Sequence, residues 1–191
     1  YFCFTGTPDL PMAQEGHAGF EEVATCQHFF EITARPQDAP TIARVSSLGM
    51  LMKDQSPVAD TEPTGAEDTA LIIYTSGTTG KPKGAELTHS NLLQNAILST
   101  GVVTTRTEDT QLIVLPLFHI FAMTCLMNAG IYKGATSVLL PRFDAEAVLG
   151  LMTKHKVTVF AGVPTMYWGL LNYENKTFDL DQISEQLRMC V

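Results

Sequence analysis

Short apolar runs alternate with amphipathic stretches through the last two thirds of the chain. Compact runs of apolar and β-branched residues predict strands at 70–74, 112–115, 136–140 and 157–161. The stretches between them have apolar residues at helical spacing, and a further helix is predicted at 165–172 after Pro164. Strands alternating with helices at these distances predict an α/β fold, with a mostly parallel sheet covered by helices on both faces.

Two of the predicted helices have recognisable caps. Thr88 can cap a helix that begins at 88 or 89 and runs to 100, and Asp144 can cap the helix that follows the third strand. Apolar residues recur on one face of each helix, so both helices are expected to lie on the sheet. The predicted buried faces are Leu92, Leu93, Ala96 and Ile97 in the first helix, and Val148, Leu151, Met152 and His155 in the second.

One uncharged run is long enough to be considered as a membrane span. Residues 112–132 contain no acidic or basic side chain across 21 positions, a length that can cross a bilayer. Pro116 divides this run into a strand-like piece and a helix-like piece that begins at about Phe118. A buried strand, a loop and a helix are therefore expected rather than a transmembrane helix.

The acidity of the chain is concentrated in its first third. The net charge is -8, and residues 1–70 hold 11 acidic and 3 basic residues, whereas residues 71–191 hold 9 of each. A nucleic acid partner normally needs a basic face, so none is expected here. Any anion that binds must be held by local geometry.

Composition also predicts the domain organisation. Residues 1–68 are expected to form an acidic segment of uncertain fold, and residues 69–191 a second domain. The first segment has candidate helices at 16–33 and 46–53, and its proline-rich, acidic end at 55–68 is typical of a linker.

The ends of the chain and its cysteines add two expectations. The chain begins with Tyr1 rather than Met, and residues 188–191 have the pattern of an opening strand, so we expect an excerpt of a longer protein. No two cysteines are close in sequence, and no His or Cys cluster has metal-ligand spacing. Reduced thiols in a cytoplasmic protein are therefore expected, and no metal site is predicted.

The most informative segment is the loop at 74–84, Tyr-Thr-Ser-Gly-Thr-Thr-Gly-Lys-Pro-Lys-Gly, which directly follows an apolar strand that we expect to be buried. A Walker loop would need glycine at the position of Thr75 and a hydroxyl at the position of Pro82, so that pattern fails twice. The dinucleotide pattern G-x-G-x-x-G also requires glycine at position 75. The G-x-x-G clamp of RNA-binding KH modules does match 77–80, but its acidic surroundings argue against that reading.

Each residue type in this loop has a physical task in binding phosphate. Glycines adopt positive φ and allow backbone N–H groups to approach an anion closely. Hydroxyl groups donate further hydrogen bonds, and two lysines match the charge of a diphosphate tail. A flexible surface loop rich in glycine and serine would not need paired lysines beside a buried strand.

The loop resembles the signature loop of the adenylate-forming superfamily, which includes acyl-CoA synthetases, aryl-CoA ligases, luciferases and peptide-synthetase adenylation domains. The following segment GAELTHSNL at 84–92 and the later segment Leu-Pro-Leu-Phe-His at 115–119 are similar to the next two family segments, in the same order. Within the superfamily the loop text is most similar to bacterial fatty acid or long-chain acyl-CoA ligases. The resemblance covers about residues 70–191, so it implies part of the large N-terminal domain of such an enzyme.

The resemblance implies a reaction in two steps. A carboxylate attacks the α-phosphate of ATP, with Mg²⁺, to give an acyl-adenylate and pyrophosphate, and coenzyme A then takes the acyl group. His119 matches the position that borders the acyl carboxylate, and Phe118 with residues 163–168 could line the acyl pocket or simply pack in the core. The loop residues implied to hold the β- and γ-phosphates are Thr75, Ser76, Gly77, Thr78, Thr79, Gly80, Lys81 and Lys83.

Several alternatives stay open. An aryl-CoA ligase, a peptide-synthetase adenylation domain and a nucleotide-binding module without catalysis would each use such a loop. The family segments for adenine, ribose and the catalytic lysine of the C-terminal lid domain are not in this sequence, so the chain alone is expected to be inactive. An acyl substrate would also draw such an enzyme towards a bilayer, so the expected location is cytoplasmic with peripheral membrane contact left open.

Overall fold

Three short parallel strands and two helices form the first of two units into which the chain divides, Tyr1–Glu62 and Pro63–Val191. In chain order the elements of this unit are β1 (Phe2–Phe4), α1 (Met12–Glu21), β2 (Phe30–Ile32), β3 (Ser46–Ser47) and α2 (Leu48–Met52). Strand β2 lies between β1 and β3, and both pairings are parallel. The computed structural model describes residues 1–77, 80–174 and 177–191 of the chain.

The prediction of a helix at 16–33 is wrong beyond Glu21, where helix α1 ends. Phe29 is buried, and its ring packs against those of Tyr1, His17 and Phe20 with centroids 5.1–5.5 Å apart. Strand β2 then begins at Phe30, because pairing with β1 satisfies its backbone in the extended form. The short helix predicted at 46–53 is confirmed as α2, and the Ser47 hydroxyl accepts a hydrogen bond from the Met50 amide at 3.1 Å.

A buried carboxylate joins the elements of the first unit. Glu31 in β2 is fully buried and accepts hydrogen bonds from the Thr5 hydroxyl, the Thr41 hydroxyl and amide, and the Ile42 amide. Burial by itself raises the pKa of Glu31, but these four donors outweigh that effect and lower it. The charged carboxylate therefore ties β1 and the loop at 41–42 to the central strand.

The second unit begins with an antiparallel ribbon. Residues 53–68 form neither helix nor strand and are exposed. Strands β4 (Thr69–Thr75) and β5 (Lys83–Thr88) then pair with each other in a two-stranded sheet, and α3 (His89–Val102) follows directly. The strand predicted at 70–74 is confirmed, but the expectation that it is buried is wrong, since Ile72 and Tyr74 are 55% and 71% exposed. Strand β5 was not predicted.

A four-stranded parallel sheet organises the rest of this unit, and it confirms the predicted α/β architecture. The strand order is β7-β6-β8-β9, and every pair is parallel. The elements in chain order are β6 (Thr110–Ile113), a π-helix (Ala122–Asn128), α4 (Ala129–Lys133), β7 (Thr136–Leu139), α5 (Ala145–His155), β8 (Val159–Ala161), α6 (Pro164–Leu171), α7 (Leu180–Gln186) and β9 (Met189–Cys190).

Alternating side chains of β6 and the residues just after it fill both faces of this sheet. Leu112 and Val114 lie in a core with α5 and α7, whereas Ile113 and Leu115 lie in a second core with the π-helix. Each fully buried aliphatic side chain of this kind contributes about 1.5–3 kcal/mol. Two helical layers therefore hold the central strand from opposite sides, as a buried parallel strand requires.

The predicted helix faces are confirmed in part. Asp144 caps α5, and Val148 and Met152 are buried as expected, but His155 is exposed and Leu149 takes its place in the core. Thr88 caps α3, but Leu93 and Ile97 are exposed, and the buried residues of this helix are Ala96, Ser99 and Thr100. The packed side of α3 is therefore more polar than its sequence predicted.

The uncharged run at 112–132 forms the predicted strand, loop and helix. Strand β6 ends at Ile113, and a helical stretch at 120–133 includes the π-helix and α4. Among the described residues, none of the helices has both the length and the apolar composition needed to span a membrane.

An ion pair fixes the edge strand β9 to the amino-terminal end of the sheet. The Arg188 guanidinium donates to both carboxylate oxygens of Asp109, at 2.6 and 3.2 Å, and to the hydroxyl and carbonyl oxygens of Thr104. Asp109 is 2% exposed and also accepts from the Arg106 amide and the Thr158 hydroxyl. Burial alone raises the pKa of Asp109, but these hydrogen bonds and the Arg188 charge lower it overall.

Candidate functional site

The loop between β4 and β5 is the turn of a hairpin whose strands bring two predicted site residues together. Thr75 pairs with Lys83 across the ribbon, and Tyr74 pairs with Gly84. Thr75, Ser76, Gly80, Lys81 and Lys83 are all exposed. The predicted residues Thr78 and Thr79 lie outside the described residues. The remaining predicted loop residues therefore surround one exposed turn.

Two glycines give this turn its curvature. Gly77 has φ +62° and Gly80 has φ +78°, a region of backbone conformation that favours glycine. A Cβ at Gly77 would lie 2.5 Å from the Lys81 carbonyl oxygen, so the two sides of the turn approach too closely for any other residue. Both features agree with the prediction that glycine in this loop allows close backbone approach and positive φ.

The side chains of β4 cover a third glycine at the base of the turn. A Cβ at Gly84 would lie 2.9 Å from the Ile72 Cγ2 atom and 3.4 Å from the Tyr74 ring. The absence of a side chain at Gly84 therefore lets these two residues lie across β5. Thr75 and Lys83 form the next residue pair along the ribbon, towards the turn.

Strand β5 connects this turn rigidly to α3. The Thr88 hydroxyl accepts a hydrogen bond from the Asn91 amide, and the Thr88 amide donates to the Asn91 side-chain oxygen, which completes a capping box. The Asp68 and Ala66 carbonyl groups accept from the next two amides of the helix. The backbone amides at the start of α3 are therefore hydrogen-bonded to the Thr88 side chain and to the segment before β4. These bonds join the ribbon to the helix.

His119 lies beyond the carboxyl end of β6, in the loop that leads to the π-helix. Its amide donates to the Pro116 carbonyl at 2.9 Å, and its Nδ1 accepts from the Phe121 amide at 3.3 Å. Because Nδ1 is an acceptor, Nε2 carries the proton in the neutral ring. The side chain is exposed, so an Nε2–H donor is available to a ligand.

The strand order places His119 at a natural binding edge. Strand β6 connects to β7 on one side, and the chain then returns to β8 on the other side. Ligands of open α/β sheets bind where the strand order reverses in this way, beyond the carboxyl ends of the strands. At this edge the Val191 carbonyl accepts from the Gly162 amide at 2.9 Å and from the Tyr167 hydroxyl at 2.9 Å.

The residues predicted to line an acyl pocket have mixed environments. Phe118 and Trp168 are 78% and 65% exposed, whereas Met166 and Tyr167 pack against the sheet core. Burial also raises the pKa of the Tyr167 phenol. An apolar cavity of about 170 Å³ lies beside the same edge and is lined by residues 113–117 and 139–141. The lining of this cavity is apolar, and it ends at Leu117, two residues before His119.

The described contacts do not join every predicted site residue. Among the described residues, no hydrogen bond or ion pair links His119 to the loop, and neither Lys81 nor Lys83 is in an ion pair. Both lysine side chains are exposed. Within the same described part of the chain, no three His, Cys, Asp or Glu side chains form a group suited to a metal ion, and all four cysteines are free.

The sequence interpretation missed residues that support the site from a distance. Asn91 completes the cap of α3, and its spacing of three from Thr88 was a readable signal. Gln111 is buried in β6 beneath the helix that follows His119. The one signal for Gln111 was a polar residue next to the otherwise apolar run 112–115.

Comparisons with known proteins bear on the whole chain. The family model of the AMP-binding enzymes matches residues 13–191, which includes most of the acidic first segment. The chain is 36% identical over 155 residues to a long-chain-fatty-acid–CoA ligase of Bacillus subtilis, with 78% of this chain covered. It is 37% identical over 139 residues to a feruloyl-CoA synthase of an Amycolatopsis species, with 69% covered. The chain spans 28% of the length of each of these relatives.

The fold is similar to that of solved structures. The ATP-bound crystal structure of MatB from Rhodopseudomonas palustris superposes with a TM-score of 0.76 at 27% identity. That superposition covers 99% of this chain and 34% of the MatB chain. Both units of the present chain therefore have counterparts within one third of that protein.

Proposed function

The chain belongs to the AMP-binding enzyme family, and from this premise we propose that the full-length protein is an acid–thiol ligase. It activates a carboxylic acid with ATP through an acyl-adenylate and transfers the acyl group to coenzyme A. In this proposal the chain supplies the loop that holds the β- and γ-phosphates and one side of the acyl site. The domain at 69–191 carries both parts.

The exposed hairpin turn is the observation that carries the proposal. Gly77 and Gly80 curve the backbone at positive φ, and Lys81 and Lys83 have no carboxylate partner among the described residues. A turn of this kind directs N–H groups and ammonium groups at an anion. One lysine about 4 Å from a phosphate oxygen gains about 4 kcal/mol of Coulomb energy at an effective dielectric constant of 20, before desolvation is subtracted.

The lysines have their largest effect as pyrophosphate leaves. The acid's carboxylate oxygen attacks the α-phosphorus, the bond from that phosphorus to the bridging oxygen breaks, and negative charge builds on the departing pyrophosphate. Positive charge already fixed around the turn stabilises this developing charge without reorganisation. Thr75, Ser76, Thr78 and Thr79 add hydroxyl donors to the same group.

His119 is proposed to orient the acid. Its Nε2–H can donate to a carboxylate oxygen, because Nδ1 is occupied by the Phe121 amide. A fixed donor holds the attacking group in one direction, which lowers the entropy cost of the first step. The apolar residues around the carboxyl ends of β6 and β7 suit the body of an acyl group.

Mg²⁺ accompanies ATP in this proposal and neutralises part of the triphosphate charge when it is bound. The described residues provide hydroxyl groups and amides in the turn rather than a cluster of carboxylates. This donor set fits a magnesium ion bound mainly through phosphate oxygens and water, which is how Mg²⁺ usually accompanies nucleotides. Coenzyme A and the adenine and ribose groups are proposed to bind residues of the same polypeptide beyond this chain, including a C-terminal lid domain.

The preferred substrate class is a fatty acid. The loop text resembles that of fatty acid ligases, and the cavity at the carboxyl edge of the sheet has an apolar lining. A feruloyl-CoA synthase is as similar as a long-chain-fatty-acid–CoA ligase, so an aromatic acid is the second candidate.

ATP–pyrophosphate exchange in the full-length protein tests the proposal. Exchange should depend on an added acid, and a panel of fatty and aromatic acids identifies the class by kcat/KM. Binding of ATP or pyrophosphate in calorimetry without exchange for any acid would identify a nucleotide-binding module instead. Binding of neither ligand would overturn the role of the turn.

A further inference from the structure

A buried glutamine in the central strand reaches into the backbone of the helix that follows His119. Gln111 is 3% exposed, and its side-chain Nε2 donates to the Leu126 carbonyl at 2.9 Å and to the Ser137 hydroxyl at 2.8 Å. A buried amide in an apolar sheet is costly unless it is hydrogen-bonded, and here both amide hydrogens have partners. Gln111 therefore joins β6, β7 and the π-helix.

Gly130 in α4 leaves space for this amide. A Cβ at Gly130 would lie 2.1 Å from the Gln111 Nε2 atom. Any other residue at Gly130 would push the amide away from the Leu126 carbonyl. Gln111 and Gly130 therefore form one packing unit, which we name the glutamine–glycine anchor.

The anchor lies where the helix changes its hydrogen-bond pattern. The π-helix at Ala122–Asn128 has one residue more per hydrogen-bonded ring than α4, and the Leu126 carbonyl accepts from the Ala129 amide near their junction. Gln111 gives the same carbonyl a second donor. Local irregularities of a helix occur where a side chain reaches into its backbone hydrogen bonds.

The anchor also fixes the helix against rotation. A slip by one residue would turn the helix by about 100° and move the carbonyl by about 1.5 Å along the axis, so the bond to Gln111 would be lost. The Met123 amide donates to the His119 carbonyl at 3.0 Å, so the start of the helix is bonded to the His119 backbone. The Phe121 amide, in the first turn of the same helix, donates to His119 Nδ1, so rotation of the helix moves the group that holds the His119 ring.

We propose that Gln111 and Gly130 are positioning residues that orient His119 towards the acid. This inference rests on the proposed function of His119. The anchor contacts β6, β7 and the π-helix, and none of its described contacts involves the hairpin turn. Loss of the anchor should therefore raise the KM for the acid and leave the KM for ATP unchanged.

Kinetics of four variants of the full-length protein test this split. Gln111→Leu should raise the KM for the acid about 5- to 50-fold, the range expected for a lost hydrogen bond and a misdirected group, and should change the KM for ATP less than twofold. Gly130→Ala should behave in the same way. When Gly130→Ala is added to Gln111→Ala, the KM for the acid should not rise further. The Gln111 amide that the new Cβ would displace is already absent. Equal changes in both KM values, or losses that multiply, would overturn the proposal.

Gly101→Ala is the matched control. Gly101 is also a helical glycine, but a Cβ there would meet no atom within 4 Å. Its kinetic constants should equal those of the wild type. Ser137→Ala removes the second acceptor and leaves the Leu126 bond in place, so it should lose less than threefold in kcat/KM. A loss in Ser137→Ala as large as that in Gln111→Leu would contradict the role of the Leu126 carbonyl.

A measurement on the full-length protein that needs neither acid nor ATP separates this inference from the proposed enzyme function. Imidazole ¹⁵N spectra should show Nδ1 of His119 as an acceptor in the wild type, assigned with His119→Gln, and a mixture of tautomers in Gln111→Leu. Circular dichroism of the same samples shows whether the variant is folded; if Gln111→Leu is unfolded, the milder Gly130→Ala is used. An unchanged His119 spectrum in a folded variant would overturn the inference. If no acid supports exchange in the wild type, the proposed function fails, whereas the tautomer result still decides whether the anchor orients His119.

Discussion

Thr75 and Lys83 lie opposite each other in the last residue pair before the turn that joins β4 and β5. The antiparallel register therefore places a hydroxyl and an ammonium group on neighbouring strands at the mouth of an exposed loop. The turn beyond them is curved by Gly77 and Gly80 at positive φ. This arrangement leads to the first two predictions.

Removal of either loop lysine should slow the first half-reaction. Lys81→Ala and Lys83→Ala are each expected to lower ATP–pyrophosphate exchange by about ten- to a thousandfold, comparable to loss of one charge-stabilising donor. The physical reason is the loss of fixed positive charge where pyrophosphate leaves. Lys154→Ala, an exposed lysine of α5, is the control and should exchange at the wild-type rate. An unchanged exchange rate in both loop variants would contradict the assignment.

Substitution of Gly77 should damage ATP binding without unfolding the protein. Alanine at φ +62° costs about 1–2 kcal/mol, and its Cβ would also approach the Lys81 carbonyl to 2.5 Å. The KM for ATP in Gly77→Ala is therefore expected to rise about fivefold or more. Gly101→Ala, with open space around its Cβ, should leave that KM unchanged. A Gly77→Ala enzyme with wild-type KM for ATP would show that the turn conformation is not needed.

The buried ion pair at the amino-terminal end of the sheet should dominate the stability of β9. Asp109→Asn leaves the partly buried Arg188 guanidinium without its charged partner, and loss of a hydrogen bond to a charged group costs about 1.5–3 kcal/mol. Urea unfolding at neutral pH should report this loss. Glu108→Gln changes the neighbouring exposed carboxylate and should alter the free energy of unfolding by less than about 0.5 kcal/mol. Equal stabilities for Asp109→Asn and Glu108→Gln would rule out a role for the pair.

The same pair should make the free energy of unfolding depend on pH. The pKa of Asp109 is lower in the folded protein than its ordinary value, so the folded state favours the charged carboxylate. Its stabilisation is therefore complete above about pH 4, the ordinary range of an aspartate, and is lost as the pH falls towards the folded pKa. Urea unfolding of the wild type and of Asp109→Asn between pH 3 and 7 should show a difference that shrinks below pH 4. A constant difference across this range would contradict the assignment.

The 191-residue chain alone should make no thioester. The family resemblance implies that the segments that bind adenine and ribose and supply the catalytic lysine lie outside this sequence, so we expect the chain alone to lack part of the site. Incubation with ATP, Mg²⁺, coenzyme A and a panel of acids, followed by detection of acyl-CoA, checks this expectation. The full-length protein is the positive control. Acyl-CoA formed by the purified chain would show that its own residues complete the site.

Local sequence was sufficient for several elements because their determinants lie within one or two turns. Thr88 and Asp144 cap the helices that they were expected to cap, since a side-chain oxygen binds an amide only three residues away. Pro116 separated a strand from a helix for a similarly local reason. The glycines at 77 and 80 were also readable, because positive φ is a property of single residues.

Packing against a partner element explains the errors. The β4 strand looked like a buried parallel strand, but its partner is β5, and an antiparallel ribbon can leave one face exposed. Leu93 and Ile97 were expected to be buried because they follow the apolar spacing of α3. They are exposed, because that spacing does not show which side of the helix meets its neighbours. Both outcomes depend on which neighbouring element a segment packs against, and the residue pattern of the segment itself does not contain that information.

The sequence by itself determined the alternation of strands and helices, the residue types of the loop at 74–84 and the family to which that loop is similar. These properties depend on periodicity, on capping and on short motifs, which are local. The tertiary structure alone decided that Arg188 meets Asp109, 79 residues away, and that Gln111 meets Leu126 and Gly130. Such contacts form only when packed cores bring distant segments together, because their energy comes from burial and geometry that no short stretch of sequence contains.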